Sequence, residues 1–512
     1  MTKALHEQPD YDWPALIDVA DREVYRVAVR SPLDQMQRLS KSLGVSIHLK
    51  REDRQPVFSF KLRGAINKMA ALSTSARAKG VICSSAGNHA QGVALAAQLH
   101  DCRAVVVMPV TTPSIKVDAV RALGAQVRLA GDNYDAAQLH ARSISQRENL
   151  TFIHPFDDPH VIAGQATIGR ELLEQSKHPP DALFIPIGGG GLAAGIALAV
   201  RKYWPKTRLI GVEPDESASM RGAIDAGYPI QLDSVGLFAD GVAVRQVGDL
   251  TFSLCEQLLD DVITVSTDAT CAAIRDIYED SRTVVEPAGA LGVAGIRQWV
   301  STHPNSNQSL MAVCCGANLN FDRLRHIAER AAVGERREAL FAVHIAEQPG
   351  SFRTFCRALG DVGITEFNYR RTTDSVARIF VGVALTDGVA EQSRLMSKIV
   401  DAGYEAHDLS DNELAQLHIR HLAGGRSRVA GERLYRCEFP ERPGALSAFL
   451  DALGNHWDVT LFHYRNHGSD YGRVLVGLTS LDETTDLDDR LGSLGYRYTD
   501  ETDNPAYQMF LT

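Results

Sequence analysis

The amino-acid sequence predicts an α/β protein with a largely parallel sheet, followed by a repeated α+β region. From about residue 24 to residue 319, short β-branched apolar runs alternate with longer Ala- and Leu-rich stretches of helical period. This alternation is typical of parallel strands covered by helices. After residue 320, two stretches resemble each other at a spacing of about 94 to 95 residues, which is the chain's one internal repeat.

The elements of the α/β region are predicted in chain order from these runs. Several of the apolar runs end in glycine-rich turns, and ligands are expected where loops leave the carboxyl ends of the strands. The predicted strands cover residues 80–83, 103–108, 126–129, 182–186, 208–212, 261–265 and 310–314, and the clearest helices cover residues 88–99, 114–123, 135–146 and 191–202.

Each copy of the repeat is predicted to form a βαββαβ unit. The order is strand, Pro-Gly turn, amphipathic helix, two strands, and a final helix and strand. Pro349 matches Pro443, and Tyr369 matches Tyr464. The polar, glycine-rich segment 421–433 between the copies is typical of an interdomain linker. The repeat lacks a nucleophile, a metal cluster and a glycine cradle, so we expect it to bind a ligand or to dimerise.

Length and charge limit the possible functions. At about 100 to 200 residues per domain, 512 residues correspond to roughly three to four folding units. The net charge of −10 gives no overall basic surface, so we expect no nucleic-acid partner. The charged N-terminus lacks the apolar core of a secretory signal, and no window approaches about 18 apolar residues. We therefore expect a cytoplasmic protein without a membrane partner.

Lys61 is the first candidate for chemistry. It lies between Phe60 and a helix-like run, with Phe58 three residues before it. A single lysine is usually a solvated surface group. A lysine that is partly desolvated among apolar residues has a lowered pKa, however, and its amine then reacts with a carbonyl cofactor.

The second candidate is the turn SSAGNHAQG at residues 84–92, between an apolar strand and a helical run. Small residues at such a turn let backbone amides and the helix N-terminus bind an anion, for which a substrate carboxylate is suitable. Asn88 either caps the helix or directs its amide at a ring substituent of a ligand. His89 is expected to pack or to orient a neighbour.

The third candidate is a run of four glycines, residues 188–191, between a strand and an Ala-rich helix. Four glycines lose much backbone entropy on folding, so a phosphate cradle explains them better than a simple turn. No GK[ST] follows, and the dinucleotide pattern is absent. The expected ligand is therefore the phosphate of a small cofactor rather than a nucleotide.

One cysteine, Cys315, and one acidic cluster each allow a functional and a structural interpretation. Cys315 either points into the same crevice or is a small buried apolar residue. Adjacent Cys314 points to the opposite face of the strand, so the pair is a poor metal site. The eight cysteines include no CxxC pair, and no metal site is expected. The acidic residues Glu213, Asp215 and Glu216 form either a cation site or, more simply, a solvated turn.

A nucleophilic lysine, a carboxylate-binding turn and a phosphate turn on one α/β scaffold indicate pyridoxal phosphate. The motifs FSFKLRGA, SSAGNHAQG, GGGGL, FADGVAV, EPAGA and CGANLNF, in this order, resemble those of the fold-type II serine/threonine dehydratase group over residues 20–330. The doubled C-terminal region extends the resemblance to the biosynthetic threonine deaminase branch, which has two ACT-like regulatory subdomains.

The resemblance implies a tryptophan-synthase-β-like catalytic domain at residues 1–330, with a small lobe inserted at about 60–155. It implies ferredoxin-like, ACT-like subdomains at 338–412 and 432–506. The implied reaction converts L-threonine to 2-oxobutanoate and ammonia, the first committed step of isoleucine biosynthesis, with slower conversion of L-serine to pyruvate. The resemblance further implies that isoleucine inhibits the enzyme, that valine opposes this inhibition, and that the protein assembles as a homotetramer.

The resemblance also implies roles for individual residues. Lys61 would hold the cofactor covalently and then move the Cα proton of the substrate. Cys315 takes the position of a family serine beside the pyridine nitrogen, and Glu286 lies on the leaving-group side or is structural. The implied cofactor-binding residues are Lys61, Phe60, Asn88, Gly188, Gly189, Gly190, Gly191, Leu192 and Cys315; the implied carboxylate-binding residues are Ser84, Ser85, Ala86, Gly87 and Asn88; and the effector candidates are Tyr369 and Tyr464.

Three alternatives remain at this point. A serine racemase and a short catabolic serine/threonine dehydratase share the chemistry, but the C-terminal repeat weighs against both. A catalytically silent amino-acid sensor is disfavoured because Lys61 is present.

Overall fold

The computed structural model divides into two compact units, Met1–Asn320 and Phe321–Thr512. No helix in the described part of the chain is long and apolar enough to span a membrane. The structure describes residues 11–304, 307–334, 337–346, 354–355, 358–360, 362, 364–370, 376–421, 431–440, 449, 452–453, 457–465, 471–480 and 487–511.

The first unit contains two sheets. A six-stranded sheet has the order β1-β2-β10-β7-β8-β9 and is parallel except for β1, and a four-stranded parallel sheet has the order β5-β4-β3-β6. The strands are β1 Leu33–Gln35, β2 Ser46–Arg51, β3 Val81–Ser84, β4 Ala104–Met108, β5 Gln126–Leu129, β6 Thr151–Phe152, β7 Ala182–Pro186, β8 Arg208–Pro214, β9 Asp261–Val265 and β10 Ser309–Cys314.

Helices connect and cover these strands, which confirms the predicted α/β class. Side-chain caps begin several of them, such as Asn133 and Asp158. The helices are α1 Trp13–Val24, α2 Gln37–Leu43, α3 Lys61–Ala71, α4 Thr74–Lys79, α5 Asn88–Leu99, α6 Ser114–Ala122, α7 Tyr134–Glu148, α8 Pro159–Gln175, α9 Gly191–Val200, α10 Ser219–Ala226, α11 Asp249–Leu258, α12 Thr267–Ser281 and α13 Pro287–Thr302.

The seven predicted strands all occur within a few residues of their expected bounds, whereas β1, β2 and β6 were not predicted. The central strands β4 and β7 are buried along their whole length, as expected for parallel strands covered on both faces. The helices α3, α8 and α9 pack closely through glycine. A Cβ on Gly164 would lie 2.7 Å from the Cα of Gly64, and a Cβ on Gly195 would lie 2.6 Å from the carbonyl oxygen of Ile162.

The second unit begins with helix α14 Leu324–Gly334 and contains two antiparallel sheets of equivalent order, β12-β13-β11-β14 and β16-β17-β15-β18. Register shifts occur at matched places, between Ile364 and Glu366 and between Val459 and Leu461. The strands are β11 Glu338–Ala346, β12 Ile364–Arg370, β13 Val376–Ala384, β14 Glu405–Asp408, β15 Arg433–Pro440, β16 Trp457–Arg465, β17 Tyr471–Ser480 and β18 Arg497–Asp500.

Each repeat has its own apolar core, and a third core is shared by both repeats. The shared core joins Leu340 of the first repeat to Leu434 and Leu475 of the second. The predicted Pro-Gly turns at 349–350 and 443–444 lie outside the described residues. The helices of this region are Gly388–Asp401, Glu413–Leu417, Leu487–Ser493 and Pro505–Phe510.

Candidate active site

Lys61 lies at the start of α3 and is partly buried. Its Nζ donates a hydrogen bond to the carbonyl oxygen of Pro155 at 2.9 Å and lies 5.3 Å from the ring centroid of Phe60. Burial lowers the pKa of Lys61 to about 8, against the opposing influence of Cys315 and Glu286. The amine is therefore uncharged in a useful fraction near neutral pH, as a nucleophile requires.

The loop before Lys61 is bound to the segment that follows β10. Ser59 and Gly316 form an antiparallel bridge, and the backbone N–H of Phe60 donates to the carbonyl oxygen of Cys315 at 3.2 Å. The adjacent residue Phe58 has φ of 54°, in the left-handed region, which is uncommon for a bulky residue. These contacts bring Lys61 and Cys315 into one crevice.

The two adjacent cysteines face opposite sides, as predicted. The charges of Asp53 and Arg51 act on the pKa of the Cys314 thiol, whereas those of Glu286 and Lys61 act on the pKa of the Cys315 thiol. Burial raises the pKa of both cysteines well above the ordinary value. Cys315 therefore presents a neutral thiol to the crevice.

The turn at residues 84–87 joins β3 to α5. The hydroxyl of Ser84 is buried and has no hydrogen-bond partner among the described residues, whereas that of Ser85 accepts from the backbone N–H of Gly87 at 3.2 Å. Ser85, Ala86 and Gly87 are half-buried. An unsatisfied buried hydroxyl beside a helix N-terminus fits an anionic ligand.

Glycine brings this turn close to Lys61. A Cβ on Gly92, within α5, would lie 3.0 Å from the carbonyl carbon of Lys61. A larger residue would force the first turn of α3 away from α5, because real Cβ contacts at this distance are rare. Two motifs that are separate in sequence therefore meet in one site.

Asn88 does not cap α5, so the capping interpretation is wrong; the N-cap is Gly87, and no side chain of the described residues caps the helix. The Nδ2 of Asn88 donates to Glu286 Oε1 at 2.6 Å, and its Oδ1 accepts from Asn318 Nδ2 at 2.7 Å. Asn318 was not singled out from the sequence, although it lies within the recognised motif CGANLNF.

Glu286 lies directly before α13 and is buried. Its side chain does not cap that helix but faces Asn88. Burial raises the pKa of Glu286 to about 7, the charge of Asp240 raises it further, and the hydrogen bond from Asn88 opposes this. A carboxyl group with this pKa exchanges a proton near neutral pH.

The four glycines join β7 to α9, and the close neighbours of their backbone explain the absence of side chains. A Cβ on Gly189 would lie 2.2 Å from the ring of Phe156, and a Cβ on Gly188 would lie 2.9 Å from the Cα of Val242. Gly190 has φ of 94°, which favours glycine. Within the described residues, no side chain caps α9, so the first backbone N–H groups of the helix suit a phosphate.

His89 is buried and its Nε2 lies 3.0 Å from the carbonyl oxygen of Ile153. Burial lowers the pKa of His89 to about 3, so the imidazole is neutral. This contact joins α5 to the segment after β6 and agrees with the expected packing or orienting role.

Glu213 does not belong to a solvated turn, so that interpretation is wrong for this residue. It is fully buried, and its two carboxylate oxygens accept from the backbone N–H groups of Met220 and Arg221 at 2.8 and 2.9 Å. Asp215 and Glu216 are exposed. Among the residues that the structure describes, no group of three or more His, Cys, Asp or Glu side chains is placed to hold a metal ion.

The effector candidates occupy matched backbone positions. Tyr369 pairs with Ile379 in the first sheet, and Tyr464 pairs with Val474 in the second. Both tyrosines are on edge strands, β12 and β16. Their side chains lie outside the described residues.

Comparison with known proteins extends these observations. A family model described as pyridoxal-phosphate dependent enzyme matches residues 25–316, and one described as the C-terminal regulatory domain of threonine dehydratase matches residues 329–419 and 423–511. The biosynthetic L-threonine dehydratase of Escherichia coli (strain K12) is 50% identical over 489 residues, covering 95% of both chains. The chain belongs to the biosynthetic threonine dehydratase family.

Other members of the family and more distant relatives agree with this assignment. The biosynthetic, chloroplastic threonine dehydratase of Arabidopsis thaliana is 46% identical and covers 97% of this chain and 84% of its own. The processed form of threonine deaminase isoform 2 from Solanum lycopersicum matches with a TM-score of 0.61 at 47% identity, covering 62% of this chain and 93% of that one. Maize serine racemase matches with a TM-score of 0.57 at 31% identity, covering 61% and 95%.

Membership of the threonine dehydratase family makes this chain a pyridoxal-phosphate-dependent lyase, and confirms the predicted enzyme class and cofactor. The match over the regulatory region distinguishes it from maize serine racemase, which covers 61% of this chain with 95% of its own. The roles expected for individual site residues stay predictions.

Proposed function

We propose that this chain converts L-threonine to 2-oxobutanoate and ammonia, and L-serine more slowly to pyruvate, as the first committed step of isoleucine biosynthesis. The observation that carries the proposal is the position of Lys61, a partly buried amine of lowered pKa, in a chain half identical to a biosynthetic threonine dehydratase over nearly its whole length.

The residues of the crevice fit pyridoxal phosphate. The uncapped N-terminus of α9 and the turn at residues 188–192 suit its phosphate, Phe60 and Asn88 line the ring site, and the neutral thiol of Cys315 suits an unprotonated ring nitrogen. When bound, the cofactor supplies an aldehyde for the substrate amino group and an electron-withdrawing ring that acidifies the Cα proton.

The protein's own groups would then orient the substrate and move its protons. The turn at residues 84–88 binds the carboxylate with backbone N–H groups and the hydroxyl of Ser84, which has no partner among the described residues. The amine of Lys61 takes the proton from Cα. Glu286, with its pKa near 7, donates a proton to the β-hydroxyl, which leaves as water. The enamine that remains gains a proton at its β-carbon, and hydrolysis of its carbon–nitrogen bond then releases ammonia and the 2-oxo acid.

Lys61→Ala tests the catalytic assignment. We expect the variant to lose 2-oxo acid formation and the visible absorbance band that borohydride abolishes in the wild type. Lys68→Ala is the matched control, because Lys68 lies in the same helix and its Nζ pairs with Asp158 at 2.6 Å. Turnover by Lys61→Ala, or D-serine as the main product from L-serine, would contradict the proposal.

The second unit would carry the regulation. Its match to a threonine dehydratase regulatory domain supports binding of amino-acid effectors, with isoleucine as inhibitor and valine opposing it. Tyr369 and Tyr464, at matched positions of the two sheets, are the effector candidates. A homotetramer in the cytoplasm completes the proposal, and sedimentation of the purified holoenzyme tests the subunit number.

A further inference from the structure

A chain of hydrogen bonds runs from the loop before Lys61 to Glu286. The Nδ2 of Asn318 donates to the carbonyl oxygen of Val57 at 2.8 Å and to Asn88 Oδ1 at 2.7 Å. The Nδ2 of Asn88 in turn donates to Glu286 Oε1 at 2.6 Å. Three side chains from segments about 30 to 230 residues apart in the sequence thus form one directed series.

The direction of this series is fixed at its first member. A backbone carbonyl only accepts hydrogen bonds, so the amide nitrogen of Asn318, rather than its oxygen, must face Val57. The same NH₂ group uses its other hydrogen on Asn88, which must therefore present its oxygen to Asn318. The NH₂ group of Asn88 is left facing the crevice and Glu286.

The reverse orientation of the Asn88 amide is unfavourable at both ends. It would set two NH₂ groups against each other at Asn318, and it would bring an amide oxygen against Glu286 whenever that carboxyl group is ionised. Asn88 is 9% exposed and Glu286 is 3% exposed, so solvent does not readily replace the lost partners. The discrimination between the two orientations therefore depends on the donor of Asn318.

The position of Asn318 is itself well fixed. The neighbouring Ala317 N–H donates to the carbonyl oxygen of Phe58 at 2.8 Å, and the backbone N–H of Asn318 is near enough to Glu286 to lower the pKa of that carboxyl group. Asn318 therefore contacts Asn88 through its side chain, while the segment that holds it is bound to the loop of Lys61.

We propose that Asn318 is a positioning residue that holds the Asn88 amide with its NH₂ group, and not its oxygen, towards the cofactor ring and Glu286. The proposal rests on the proposed function, in which Asn88 lines the ring site, and takes the Asn88 amide as the donor of a hydrogen bond to the ring oxygen of the cofactor. Without Asn318, the amide of Asn88 rotates, and the ring oxygen loses a donor that stabilises its charged form.

The cofactor's own absorbance reports this donor. A hydrogen bond to the charged ring oxygen favours that form, so its loss shifts the pH midpoint of the visible band upwards. We expect Asn318→Ala to move this midpoint by about one pH unit, the effect of one hydrogen bond to a charged group. We also expect kcat for threonine to fall about tenfold while KM changes little.

A double-mutant cycle separates positioning from general destabilisation. Asn88→Ala should shift the midpoint, and Asn88→Ala/Asn318→Ala should shift it no further, because Asn318 acts only through Asn88. Asn67→Ala is the matched control: Asn67 is a buried asparagine whose Nδ2 donates to the carbonyl oxygen of His160 at 2.7 Å. That control should lower thermal stability and leave the cofactor absorbance unchanged.

Each outcome decides the matter. If the pH midpoint is unchanged in Asn318→Ala but shifted in Asn88→Ala, the inference is overturned and the proposed function is left intact. The same holds if the midpoint shift of the double variant equals the sum of the two single shifts. An unchanged midpoint in Asn88→Ala refutes both the contact of Asn88 with the cofactor and the inference. Threonine turnover tests the proposed reaction independently of this result. If Asn318→Ala loses the cofactor, the pH midpoint is measured in Asn318→Asp instead, which keeps the side-chain volume but not the donor. An unchanged midpoint in that variant likewise overturns the inference.

Discussion

At the scale of single residues, Lys61 and Glu286 share one crevice, and burial moves their pKa values towards each other. Burial penalises the charged form of each group, so the pKa of Lys61 falls to about 8 and that of Glu286 rises to about 7. An amine able to accept a proton and a carboxyl able to donate one are thereby present together near neutral pH, the combination that elimination requires.

The lowered pKa of Lys61 predicts the pH dependence of cofactor capture. In enzyme freed of cofactor, the rate of reconstitution should rise with pH about a midpoint near 8, because only the uncharged amine attacks the aldehyde. Glu286→Gln should lower this midpoint, since the charge of Glu286 raises the pKa of Lys61. Stopped-flow absorbance measures the rate. A midpoint near the ordinary lysine value of 10.5 would contradict the prediction.

The position of Cys315, beside the proposed site of the ring nitrogen, should tolerate substitution by serine. Cys315→Ser should keep kcat for threonine within about tenfold, because a hydroxyl and a neutral thiol both leave the ring nitrogen unprotonated. Cys314→Ser, on the opposite face of the strand, is the control for packing. Steady-state assays with cofactor occupancy measured in parallel check this; complete loss of turnover in a fully loaded Cys315→Ser enzyme would refute the assignment.

At the scale of elements, α3 is held by a buried network of charges behind the site. Arg63, two residues after Lys61, donates to both oxygens of Glu52 at 2.8 Å and pairs with Glu171 at 2.8 Å. Glu171 also pairs with Lys50. All four side chains are fully buried, so the network joins α3 to β2 and α8 with a fixed geometry. Such pairs add little net stability but are costly to break singly.

Arg63→Met should lower the free energy of unfolding by about 3–5 kcal/mol, because it leaves Glu52 and Glu171 buried without their shared partner. Urea denaturation followed by the cofactor's fluorescence measures this. Arg170→Met in the same helix as Glu171 is the control: Arg170 pairs with partly exposed Asp18 and Asp21, and the expected loss is below about 1 kcal/mol. Equal losses in the two variants would contradict a special role of the network.

The same network predicts a sign for the pH dependence of this loss. The charges of Arg63 and Lys50 outweigh burial and hold the pKa of Glu171 below its ordinary value of 4.5. A lowered carboxyl pKa stabilises the folded state above the unfolded pKa, and this contribution disappears as the pH falls through the folded pKa. The difference in the free energy of unfolding between Arg63→Met and the wild type should therefore become smaller below about pH 4.5.

At the scale of the whole molecule, the two repeats of the second unit form one body. They share an apolar core, and Glu413, which follows the first repeat, pairs with Arg436 and Arg473 of the second. A ligand that changes one repeat therefore acts on a packed partner. The proposed regulation requires that isoleucine bind the less active state more tightly.

Reciprocity makes the regulation testable in the intact chain. Isoleucine should raise the threonine concentration that gives half-maximal rate, and a threonine analogue should weaken isoleucine binding by the same factor, because coupling free energy is shared. Tyr369→Ala and Tyr464→Ala should weaken isoleucine binding while leaving kcat without isoleucine unchanged. Titration calorimetry and saturation curves measure both effects. A threonine curve that isoleucine leaves unaltered would exclude the regulatory role.

The sequence by itself determined the elements and motifs whose signals are local. Apolar periodicity and glycine patterns predicted the strands at residues 182–186 and 261–265, the four-glycine turn, the turn after β3 and the repeat, because backbone preferences depend on neighbouring residues. The resemblance of the motifs to the serine/threonine dehydratase group predicted that Lys61 is the reactive amine.

Only the tertiary structure decided which distant groups meet. Strand β2 was not predicted, because Lys50 and Arg51 are charged. The burial of Lys50 depends on Glu171, far along the chain, and that of Arg51 on the nearby Asp53. The contacts of Asn318, Asn88 and Glu286 are likewise invisible in sequence. The physical reason is that a strand or a turn is selected by its own residues, whereas a buried charge or a directed hydrogen bond exists only when folding brings its partner within reach.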